Sequence, residues 1–359
     1  MSYFYNGVTF DPYFNKARSS LTVSATGFKI NNVDICNNYT PLGTTHKLKY
    51  PSNLSFQRGG IDITQLFEFN LIKGNTASYT ANIISDGVIL MFTSNGDISF
   101  NYQVKNIGLY LKAGGGGGGA GDGGNFGGGG GGAGGAAKSN AIGITNIKRI
   151  SCTIGEGGNG ATASNNNATA GGDTTVTIID TNNASYSYTV KGGGRGGSGA
   201  NPGYDGGSGG GSGGRDGGNE RPGGSRIPGS GTIDGMTNNS NTVGGTSPGR
   251  PGAGGGGDGS TAGYGDNYMR GGGGHSFTIA EVTILFGGGG GGGGGRYSDN
   301  IQSGGLGGTG AGNGGSYNTA GVNAPYSVTD KTFGGGGGGG GEDTVFPSPN
   351  NEVEMVQKE

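Results

Sequence analysis

The stretch Ser276-Phe-Thr-Ile-Ala-Glu-Val-Thr-Ile-Leu-Phe286, followed without a break by Gly287–Gly295, decides how this chain is read. Its first part is strand-like, rich in β-branched and aromatic residues. Its second part is nine consecutive glycines, which make neither a helix nor an ordinary strand. Glycine costs about 1 kcal/mol per helical position relative to alanine and is depleted from strands. The same switch recurs where Gly108-Leu-Tyr-Leu-Lys-Ala113 leads into Gly114–Gly119, and where Lys331-Thr-Phe333 leads into Gly334–Gly341. A single run would be a flexible linker. Several runs, each fed by an apolar strand, predict extended polyproline-II-type helices of three residues per turn, packed side by side. Such a helix has no internal hydrogen bonds, and only glycine leaves its outward N–H and C=O groups reachable from every side. Ordering it costs roughly 1–2 kcal/mol of backbone entropy per residue. The bundle must therefore be cross-bonded laterally, with Cα–H···O contacts as a minor addition. The expected scaffold positions include Gly114, Gly119, Gly287, Gly291, Gly295, Gly334 and Gly341.

Composition agrees with an unusual core. Of 359 residues, 95 are glycine and only 30% are hydrophobic, too few for a large apolar interior. The balance of 22 basic against 24 acidic residues gives no electrostatic case for nucleic acid or a membrane surface. Collagen is excluded, because it needs glycine at every third position with abundant proline. Cys36 and Cys152 lie far apart in sequence and read as two reduced, buried small residues. The N-terminus has no basic segment followed by an apolar one, so no signal peptide is expected. No apolar run approaches the ~20 residues of a membrane span.

Residues 1–112 read as a β-sandwich-like domain for attachment or oligomerisation, built of short strands separated by Gly, Asn, Asp and Pro. Asp86-Gly87 and Asn95-Gly96 each lie between apolar runs and signal hairpins. Phe28–Cys36 and Phe56–Thr64 form a weak internal repeat at an offset of 28 residues. Residues 113–341 read as the glycine bundle, stapled by short strands such as Thr174-Thr-Val-Thr-Ile-Ile179 and carrying long polar loops over 201–251, 258–270 and 296–330. Residues 342–359 are a charged tail.

No catalytic constellation is visible. G-x-G-x-x-G matches inside glycine tracts carry no information without a following helix. His46 and His275 are the two histidines, and neither has a metal-ligand neighbour at suitable spacing, so no metal, cofactor or enzymatic activity is expected. The Arg-Gly-Gly triplets at Arg195 and Arg270, in a near-neutral chain, do not make an RNA-binding tail. Recognition by surface loops remains. Tyrosine among Asn, Ser, Gly and Asp is the composition of an adaptable binding surface. The expected contact group is Tyr264, Tyr268, Tyr297 and Tyr326 with Asp266, Asn267 and Asn300.

Ala113-(Gly)6-Ala-Gly-Asp-Gly-Gly-Asn-Phe-(Gly)6, followed by Ile144-Thr-Asn-Ile-Lys-Arg-Ile-Ser-Cys-Thr-Ile-Gly155 and Thr174-Thr-Val-Thr-Ile178, resembles the glycine-rich domain of phage and large-virus fibre proteins. The alternation of glycine runs with polar loops is similar to the tail-fibre tip adhesins of T-even-like phages. The resemblance covers about residues 108–341 and implies a polyglycine-II sandwich whose loops touch a host-cell receptor, glycan or protein. It implies a protein of the virion surface, assembled in the host cytoplasm. Other virion or fibre proteins, or further copies of the chain, would join it through the N-terminal β domain, which does not look like the attachment domain of those adhesins. A virion component without receptor binding and an ice-binding or surface-coating protein are the alternative readings; an ice binder would show flat, regularly spaced Thr/Ala faces, and the loops here are irregular.

Overall fold

In the computed structural model, residues 4–5, 8–9, 29–30, 33–34, 39–40, 57–58, 61–62 and 68–69 are described, together with most of 72–340. Within that last span the description omits 85–86, 105–106, 123–125, 162–167, 216–219, 239–242, 248–249, 259–268, 280–281, 298–299, 302, 317–318 and 326–331. Among the described residues every regular element is a strand, and almost all pairing is antiparallel. The chain divides into two compact units. The first comprises Met1–Lys105, Ile144–Cys152 and Ile178–Ser185; the second comprises Asn106–Gly143, Thr153–Thr177 and Tyr186–Glu359.

The first unit begins with two-residue ladders. Strands β1 (Phe4–Tyr5) and β2 (Val8–Thr9) pair, and the residues between them in sequence are Asn6-Gly7, the dipeptide favoured in two-residue hairpins. β3 (Lys29–Ile30) pairs with β4 (Val33–Asp34), and β5 (Tyr39–Thr40) pairs with a later strand, β8 (Glu68–Phe69). β6 (Gln57–Arg58) pairs with β7 (Ile61–Asp62). The partners Lys29↔Asp34 and Gln57↔Asp62 occupy equivalent places, so the internal repeat is a repeated hairpin.

Longer strands follow. β9 (Ile72–Asn75) precedes a regular hairpin of β10 (Tyr79–Ile84) and β11 (Gly87–Phe92), closed where Ile84 faces Gly87. The second hairpin signal, Asn95-Gly96, works differently. It passes the chain to another sheet, in which β12 (Gly96–Val104) lies between β9 and β15 (Ile147–Thr153). Gly96 sits at φ 144°, and a Cβ there would strike the Ala77 backbone. Ile98 faces Ile150 across β12 and β15, and both are buried. Cys152, opposite Gly96, is a free thiol. Burial, and secondly the negative charge of Asp97, push its pKa up to about 12. Cys36 lies outside the described residues.

In the second unit, β13 (Leu109–Lys112) pairs with β14 (Ala136–Ser139), which pairs in turn with β19 (Thr237–Asn238). β16 (Thr174–Asp180) alternates buried and half-buried positions, as a strand with one covered face must. β17 (Ser185–Val190) pairs with β18 (Ser230–Gly231), and the Thr175 and Thr189 hydroxyls meet at 2.8 Å. The strand that opened the sequence reading is a hairpin, β20 (His275–Ile279) with β21 (Val282–Phe286). A small hairpin, β22 (Arg296–Tyr297) with β23 (Asn300–Ile301), follows the nine glycines. Finally β24 (Thr332–Phe333) pairs in parallel with β21, placing Phe333 beside Phe286. Ala136, Ile284 and Phe286 form a buried apolar cluster with Tyr110 and Phe333 against it.

Candidate functional site

Glycine tracts occupy the interior of the second unit, and their backbone hydrogen bonds repeat at every third residue. In the 127–135 tract, Gly127, Gly130 and Ala133 donate their N–H groups to Arg250, Gly256 and, between these, Ala253 of the 250–258 tract, taken in the order 250, 253, 256. Gly128, Gly131 and Gly134 donate to Gly340, Gly337 and Gly334. Gly129, Gly132 and Gly135 donate to Gly197, Gly194 and Lys191. Its carbonyls accept from three further tracts, 113–119, 208–214 and 290–293. Six neighbours therefore surround one run of backbone. The 287–295 tract has the same environment, bonding to tracts around residues 128–131, 252–255, 269–272, 305–308, 309–315 and 336–339. Every buried N–H left without a partner would cost about 1–3 kcal/mol, so this satisfaction is what allows an interior almost without side chains.

Close approach explains why the interior is glycine. A Cβ on Gly130 would collide with the Gly290 carbonyl, and one on Gly131 with the Gly116 carbonyl. The few hydroxyls admitted replace backbone partners: Ser198 Oγ accepts from the Ala120 N–H, and Ser208 Oγ donates to the Gly257 carbonyl, both completely buried.

The bond registers also fix direction. Ascending numbers meet descending ones between 113–119 and 129–135, so those tracts are antiparallel. Tracts 113–120, 191–199, 206–214, 287–295 and 334–340 run one way, whereas 127–135, 250–258, 269–274 and 303–308 run the other. This places six strands at one end: β13, β17, β21 and β24 lead into tracts, and β14 and β20 follow them. The strands set the register. The Lys112↔Ala136 pair continues as Ala113 N–H to Gly135, and the parallel Phe286↔Phe333 pair continues as Gly287 N–H to Phe333 and Gly336 N–H to Gly288. The β22–β23 hairpin lies at the opposite end, where Gly295 finishes its tract.

At the strand end the Lys112 ammonium is buried, 3.4 Å from Asp258 and 2.7 Å from the Gly134 carbonyl. Burial lowers its pKa, and the Asp258 charge and hydrogen bond oppose that shift. The Phe286 ring lies 5.4 Å from the same ammonium. Along the 191–199 tract, the Arg195 guanidinium stacks 3.9 Å from the Tyr204 ring and donates to the Ala168 carbonyl.

Of the expected contact group, Tyr297 and Asn300 are brought together as directly paired residues of the β22–β23 hairpin. Tyr264, Asp266, Asn267, Tyr268 and Tyr326 lie outside the described residues, as does the scaffold position Gly341. Gly114, Gly119, Gly287, Gly291, Gly295 and Gly334 all belong to bonded tracts or their ends. The long polar loops read from the sequence are shorter than expected. Within the expected 201–251 and 296–330 loops, the segments 206–214, 303–308 and 311–316 supply further tracts to the network. The overlooked signal is Ser303-Gly-Gly-Leu-Gly-Gly-Thr309, which places one side chain every three residues. His275 is paired opposite Phe286 in β20–β21, and among the described residues no group of acidic, His or Cys side chains is placed to hold a metal. No described helix is long and apolar enough to cross a membrane.

No family model, no curated protein and no solved structure matches the chain.

Proposed function

We propose that the tracts are polyglycine-II helices packed as a bundle, and that the chain is a virion surface or fibre protein presenting loops for host-receptor recognition on that scaffold. The bundle reading is supported by bonding at steps of three residues, the period of a polyproline-II-type helix. The observation that carries the presenting role is the two-ended arrangement. Six strands hold one end of the tracts, and the hairpin containing Tyr297 and Asn300 stands at the other. The N-terminal β strands serve in this reading for attachment to other virion proteins or to further copies. A cell-surface glycan or protein is the partner, and neither a cofactor nor catalysis enters.

The test is binding of folded protein to panels of cells and glycan arrays. Tyr268→Ala combined with Tyr297→Ala should weaken binding with an unchanged melting temperature, since aromatic anchors are each worth about 2 kcal/mol or more at hot spots. Unchanged binding overturns this contact group. Failure of the wild-type protein to bind any member of the panels favours a purely structural virion component.

A further inference from the structure

Interior and boundary tracts differ in one respect. The 287–295 tract is glycine throughout, whereas the 303–309 segment carries a side chain at every third position, Ser303, Leu306 and Thr309. The positions between them face neighbours. A Cβ on Gly304 or Gly307 would strike the Gly314 or Gly312 carbonyl, and one on Gly305 or Gly308 would strike the Met269 or Gly272 carbonyl. The third position faces outward: Leu306 is 61% exposed, and Ser303 and Thr309 are exposed as well. Two other segments also turn side chains outward, less regularly: Glu156 and Asn159 are exposed on 155–161 beside an exposed Gly157, and Thr319, Ala320, Val322, Asn323 and Pro325 are exposed on 319–325.

We infer that these outward side chains terminate the glycine network, so that it does not continue laterally into a second copy of the chain. Each tract in the network bonds backbone to backbone with neighbours on several sides, and a boundary tract would offer the same groups to any glycine tract that could reach them. Inside the unit, a Cβ placed between two tracts collides with a carbonyl. A side chain at the outward position holds an incoming tract at bay for the same reason. Sheet proteins meet the equivalent hazard at their edge strands with charges, prolines and bulges. Here one side chain per turn is sufficient, because the approach that must be blocked is shorter than a side chain.

The experiment is sedimentation velocity over a range of concentrations on the full chain. Ser303→Gly, Leu306→Gly and Thr309→Gly combined should raise the self-association constant about tenfold or more over wild type. Amide exchange at 303–309 should slow in the associated species. Leu306→Asn keeps a side chain and should sediment as wild type. If the triple variant does not fold, Leu306→Gly alone is judged by the same readout. A folded glycine variant that sediments as wild type overturns the inference, as does Leu306→Asn associating as strongly as the glycine variant.

Discussion

Lys112 and Asp258 form a buried ion pair, 3.4 Å apart, with side chains 5% and 0% exposed. Lys112 is the last residue of a strand, and Asp258 follows a glycine tract that runs in the opposite sense to the one Lys112 begins. The ammonium is also bound to the Gly134 carbonyl, so a single charge gathers three tract ends. Removing one partner strands the other charge, at a cost of about 3–5 kcal/mol, whereas removing both is far less damaging. Lys112→Met should therefore unfold at markedly lower denaturant than wild type. The double variant Lys112→Met/Asp258→Asn should recover much of the loss. Equal loss in the two variants would show that packing, not charge, is what Lys112 supplies.

Adjacent glycines should respond in opposite ways. A Cβ on Gly336 would collide with the Gly131 carbonyl, but one on Gly337 finds its nearest atom, the Gly118 N, at 3.4 Å. Gly336→Ala breaks lateral bonds, leaving buried amides unpaired at about 1–3 kcal/mol each. Gly337→Ala should be neutral or stabilising by up to about 1 kcal/mol, through lost freedom in the unfolded chain. Paired thermal melts of the two variants decide this, and a similar destabilisation by both would refute the packing described.

Gly291→Val tests the 287–295 tract. Its added carbons would occupy the space of the Gly305 carbonyl. A fall of several degrees in Tm is expected, and an unchanged Tm would contradict the six-neighbour environment.

Amide exchange separates a bonded network from linkers. Gly127–Gly135 and Gly287–Gly294 should exchange slowly, near the rate set by opening of the whole unit. Complete exchange within the dead time at these positions is incompatible with the hydrogen bonds found.

Cys152 gives a pH dependence of known sign. Its folded pKa, near 12, lies above the ordinary thiol value of 9.0, so the unfolded chain loses the proton first as pH rises. The native state then holds more protons than the unfolded one, and stability declines with pH between those two values. Denaturation curves from pH 8 to 11 should show this decline, and Cys152→Ala should reduce its slope. Alkylation of the native thiol at pH 8 should be slow and should become fast on unfolding.

Much of the architecture follows from local chemistry. Val282-Thr-Ile-Leu-Phe286 is a strand because its residues favour a half-buried pleated surface, and the nine glycines after it leave the strand conformation because they lack such side chains. Thr174–Asp180 reads as a strand from its alternation alone. The hairpin closed by Ile84 and Gly87 was legible in Asp86-Gly87. The Asn95-Gly96 signal was not, because φ 144° at Gly96 and the nearby Ala77 backbone direct the chain into another sheet.

That glycine runs alternate with strands is written in the residue order, and so is the need for any order among those runs to come from bonds between them. Which run meets which, and in which direction, emerges only on folding. Glycine has no side chain to encode a neighbour, so one tract is chemically indistinguishable from the next. Choice falls to what flanks the tracts: the Lys112↔Ala136 pair, which makes two tracts antiparallel, and the Phe286↔Phe333 pair, which makes two parallel. The same degeneracy hid the 303–309 tract, whose Ser303, Leu306 and Thr309 resemble a polar loop until their spacing is matched to a surface. It also hid where the 127–135 tract lies, because its position among six others depends on bonds to residues from 113 to 340.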